Sequence, residues 1–81
     1  MSIKRGDIVR LATATINVDF PLEFKIADSE DMIDHSAIGL KAGLVLHYHQ
    51  NATPEWYLPS CLTVAFGDTV IIAYEEYFEK V

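Results

Sequence analysis

The apolar positions of this chain fall mostly in short alternating runs, and a period of two marks strands with one buried face. Residues 8–13 form the first run, rich in β-branched side chains and preceded by the turn-forming Lys4-Arg5-Gly6-Asp7. Residues 44–50 form the second, where strict alternation puts Leu44, Leu46 and Tyr48 on one face and Val45, His47 and His49 on the other. In the third, residues 60–66, Leu62, Val64 and Phe66 share a face, and a fourth run occupies residues 69–74. Only Gly67-Asp68 separates these last two, and a two-residue link in which glycine supplies positive φ predicts a tight hairpin. Residues 75–81 predict a short 3₁₀ turn and a final extended residue or two, with Tyr77 and Phe78 able to plug one end of the core.

Residues 15–41 break this regularity, because Pro21, the run Asp28-Ser29-Glu30-Asp31 and Gly39 interrupt short apolar pieces. Within them, residues 18–27 predict an extended arm with Phe20, Leu22, Phe24 and Ile26 on one side. Asp28 or Ser29 is placed to cap a single helical turn through Met32 and Ile33. No internal repeat, low-complexity tract or linker interrupts the chain, so residues 1–81 are expected to form a single domain.

Four pieces carry a family resemblance: Arg5-Gly6-Asp7-Ile8-Val9-Arg10, Ala42-Gly43-Leu44-Val45, Phe66-Gly67-Asp68-Thr69, and Tyr74-Glu75-Glu76-Tyr77-Phe78-Glu79. In their order along the chain they resemble SH3-like small β-barrel proteins, among them short accessory proteins of tailed bacteriophages and SH3-like accessory subunits of cyanobacterial photosynthetic complexes. The likeness spans both ends of the chain but not residues 15–41. It implies an all-β, SH3-like barrel of five to six antiparallel strands, with a long first loop and a short 3₁₀ turn before the last strand. It also implies a barrel that docks on a larger complex, although SH3-like barrels host many unrelated activities.

Composition narrows the partner. Hydrophobic residues make up 51% of only 81 residues, more than so small a core hides, which sends some apolar surface toward a partner or a second copy. With 6 basic against 12 acidic residues the formal net charge is -6. Affinity for phosphates comes from clustered Lys and Arg, so this balance argues against nucleic acid, an acidic imitation of DNA excepted. It favours a larger protein with a basic or mixed surface. No apolar stretch has the length of a membrane span and no leader-like segment is evident, so no membrane association and a cytoplasmic location are expected, the host cytoplasm if the chain is viral. Cys61 alone cannot form an internal disulfide and reads as a small buried apolar residue.

The candidate binding residues follow from these constraints. Asp28, Glu30, Asp31 and Asp34 form an acidic loop with Met32 and Ile33 as apolar anchors between the charges, and Trp56 and Tyr57 bring hot-spot residue types to a second loop. A merely solvated acidic loop is the plainer reading of the same residues. On a strand, His47 and His49 would stand about 7 Å apart on one face, a spacing that suits a divalent metal. Ser36, Ser60 and Cys61 lack the partners of a catalytic triad, and no glycine-rich phosphate loop is present, so neither an enzyme nor a cofactor is expected. The sequence thus reads as a non-catalytic protein-interaction module that modulates a larger protein through its acidic loop. The alternatives are a self-assembling structural subunit, which would be a homo-oligomer, and a metal-binding protein using His47 and His49.

Overall fold

A computed structural model describes residues 3–49 and 60–81, and within them seven strands run antiparallel in one sheet. In chain order the elements are β1 (Ile8–Leu11), α1 (Thr13–Ile16), β2 (Glu23–Ile26), β3 (Met32–Asp34), α2 (His35–Ile38), β4 (Gly43–His49), β5 (Cys61–Phe66), β6 (Thr69–Tyr74), a 3₁₀ turn (Glu75–Tyr77) and β7 (Phe78–Lys80). The sheet order is β3-β2-β6-β5-β4-β1-β7, so the described residues form an all-β fold with two single-turn α-helices, and the outer strands β3 and β7 do not pair to close it. No helix among the described residues is long and apolar enough to cross a membrane.

The predicted strand faces explain where the core lies. Val9 and Leu11 of β1, Leu62, Val64 and Phe66 of β5, and Ile71 and Ala73 of β6 all point inward and join one buried cluster with Phe24, Val45 and Phe78. The Gly67-Asp68 hairpin forms as expected, Gly67 taking φ 62, and the register Phe66↔Thr69 follows directly from it. The sheet also curls on itself. Although β2 and β7 lie near opposite ends of the strand order, the rings of Phe24 and Phe78 stack at 6.4 Å and Phe24 meets Tyr77 edge-on at 5.4 Å. Aromatic contact, rather than a hydrogen-bond ladder, brings the two ends of the sheet together. The curl leaves no room at Gly43, where an added Cβ would stand 2.6 Å from a methyl of Val64 and 2.8 Å from the ring of Phe66.

Several expectations are corrected. Residues 15–41 are not a long loop: they contain α2, the β2–β3 hairpin and the second half of α1, and the hairpin raises the strand count from five or six to seven among the described residues. The extended arm begins only at Glu23; Phe20 is 59% exposed, beyond Pro21, whose missing N–H cannot extend a ladder. Met32 and Ile33 are not a helical turn. They lie in β3 because Ile33 pairs with Phe24 and packs against the core, and the helical turn starts after them, capped by Asp34. In β4 a bulge between Val45 and His47 sets Leu46 and His47 against the single residue Thr63. Tyr48 is thereby turned inward against the core, while Leu46, His47 and His49 stay exposed, which avoids burying two imidazoles. Cys61 is half-buried rather than buried, because its partners His49 and Tyr74 place it on the outer face.

Candidate docking surface

The β2–β3 turn is built around Asp28, whose φ of 60 is a left-handed conformation that Asp tolerates better than most residues. Ile26 N–H donates to the Asp31 carbonyl at 3.0 Å, and Asp31 N–H donates to Ser29 Oγ at 3.1 Å, so the acidic run is an ordered turn. Ala27 N–H donates to the Val70 carbonyl at 2.8 Å, continuing the β2–β6 register Ile26↔Ile71 by one step. That bond fixes the turn beside the start of β6 and therefore beside the Gly67-Asp68 turn. Asp28, Glu30, Asp31 and Asp68 thus gather at one end of the sheet. Among the described residues none of these four carboxylates has an ion pair; the three that occur are Arg10–Glu79, His35–Asp34 and Lys80–Asp7.

Beside this tip an open groove of about 610 Å³ passes between the two turns, with Leu46, Thr63 and Val70 among its lining and Asp28 and Asp68 at its edges. Its apolar side continues into a cross-strand row on the outer face, Ile8↔Leu44↔Ala65↔Val70, in which Ile8 is 46% and Leu44 41% exposed. No family model, curated protein or solved structure matches this chain. An uncharged aliphatic row leads to a cluster of carboxylates that have no ion pair among the described residues.

The expected site residues separate on the fold. Asp28, Glu30 and Asp31 stay together at the tip, Met32 is exposed on the outer face, and Ile33 faces the core. Asp34 lies at the far end of β3, where its Oδ1 accepts from Ser36 N–H at 2.8 Å and from Ser36 Oγ at 2.6 Å and stands 3.3 Å from His35 Nδ1. The Ser36 hydroxyl and backbone N–H, with a smaller contribution from His35, hold the Asp34 carboxyl below the usual aspartate range. Trp56 and Tyr57 lie outside the described residues. The imidazoles of His47 and His49 do share a face, with ring centroids 4.3 Å apart, and His49 Nε2 lies 2.9 Å from Thr63 Oγ1. Among the described residues no group of three His, Cys, Asp or Glu is placed to hold a metal. Asp68, Leu46 and Val70 escaped the sequence reading. The Gly67-Asp68 turn was visible in the sequence, but its position beside Asp28 depends on the β2–β6 pairing, which no local pattern announces.

Proposed function

We propose that this chain is a non-catalytic protein-binding module of the SH3-like kind, an accessory protein of phage or cyanobacterial type that docks through its acidic tip on a basic surface of a larger protein. The observation that carries this reading is the convergence of Asp28, Glu30, Asp31 and Asp68 from two separate turns with no ion pair to any of them among the described residues. Like charges gathered in this way repel one another, and a basic partner relieves that repulsion while the field of the cluster steers its approach. The strand order, with the two sheet ends held by Phe24 and Phe78, supports the SH3-like reading. The test is capture from a lysate of the source cell or its host by the wild-type chain and by a variant with Asp28, Asp31 and Asp68 changed to Asn and Glu30 to Gln. Partners held by the wild type should be released as salt rises and should be missing from the variant. Equal retention by both proteins with equal salt dependence would overturn the assignment.

A second reading, self-assembly, is favoured by the exposed row of Ile8 and Leu44. Light scattering over a range of concentrations separates the two, since a persistent monomer is incompatible with a self-assembling subunit.

A further inference from the structure

We infer that the groove beside the acidic tip receives an extended segment of a partner protein carrying a lysine or arginine two residues from an aliphatic side chain, the spacing that puts both on one face of the segment. This rests on the acidic-tip reading and adds the chemistry of the occupant. The bulge in β4 keeps Leu46 on the outer face, 41% exposed, and Val70 lies across the groove from it on β6. Covering Leu46 and Val70 with an aliphatic group removes apolar surface from water. A purely aliphatic occupant, however, would also strip water from Asp28 and Asp68 at the groove edges without replacing it. A purely cationic occupant would satisfy the carboxylates and leave the apolar floor wet. Only a segment with both features satisfies floor and edges together, its cation bridging the two carboxylates and its aliphatic side chain lying over Leu46. A second copy of this chain fits poorly, because its own tip is acidic and its net charge is -6.

The experiment is a titration of the isotope-labelled full chain, followed by amide chemical shifts at low salt, with three capped hexapeptides whose even positions are all serine and whose odd positions, sharing one face, carry lysine and leucine, lysine and serine, or glutamate and leucine. The lysine–leucine peptide should shift the amides of Asp28, Leu46, Asp68 and Val70 and bind at least about tenfold more tightly than the lysine–serine peptide. Asp28→Asn with Asp68→Asn, and separately Leu46→Ser, should each weaken it about tenfold, with an unchanged thermal transition showing that the variants fold. If both lysine peptides bind the tip equally, the groove inference falls while the acidic-tip reading stands. If neither lysine peptide binds, both fall. Shifts at the groove that grow with protein concentration alone would make a second copy the occupant and overturn the inference, as would equal binding of the glutamate–leucine peptide.

Discussion

Asp7 and Asp34 show how differently this chain uses its carboxylates. Asp7 accepts from Lys4 N–H at 2.9 Å and pairs with Lys80 at 3.3 Å, as Asp34 is held by Ser36, and these bonds lower both pKa values below the ordinary aspartate range. The folded protein therefore binds these protons less readily than the unfolded chain does. Their contribution to stability is complete above the ordinary aspartate pKa of about 4 and is lost as pH falls through the lower folded values. The melting temperature should accordingly drop on acidification below about pH 4, and Asp7→Asn with Asp34→Asn should flatten that acid limb. An asparagine still caps a helix, so the loss at neutral pH should be small; an acid limb as steep as the wild type's would refute the assignment. Asp28, Glu30, Asp31 and Asp68 make no such side-chain hydrogen bonds among the described residues, which leaves their charge available to a partner.

Among the elements, β4 is the most informative. Its bulge sets two residues, Leu46 and His47, against Thr63, so removing Leu46 would leave a regular ladder with Val45 still opposite Val64 and Tyr48 still opposite Leu62. Deletion of Leu46 is expected to cost only about 1 kcal/mol, whereas deletion of Thr63 from β5, which has no extra residue to absorb it, should flip every later side chain and abolish folding. Urea unfolding monitored by circular dichroism distinguishes the two; unfolding of both deletion variants would contradict the bulge. Its neighbour β5 shows where the sequence was legible. Alternation correctly placed Leu62, Val64 and Phe66 in the core, and Gly67-Asp68 announced its hairpin, because both signals are local. In β4 the alternation misled, since a bulge leaves no mark in a run of apolar and polar residues. The β2–β3 hairpin was hidden for a related reason: Asp28 occupies a turn position more often filled by glycine, and the acidic run around it reads equally well as a helix cap. Of the candidate site, the acidic residues were visible one by one, while their company with Asp68 required the non-local pairing of Ile26 with Ile71.

At the scale of the whole molecule, the backbone ladders run as an open ribbon from β3 to β7, and the rings of Phe24, Tyr77 and Phe78 draw its ends together. Directional bonds thus join neighbouring strands along the ribbon, while apolar contact spans the gap between its ends. They respond differently to temperature, because apolar association weakens on cooling. Near freezing the contact between Phe24 and Phe78 should loosen while the amides of the β5–β6 ladder stay protected from exchange. Ring-to-ring magnetisation transfer measured beside amide exchange follows both; simultaneous loss of the two would show that the seam and the ladders melt as one. A domain fastened in this way behaves as a clasp with a cold-sensitive catch.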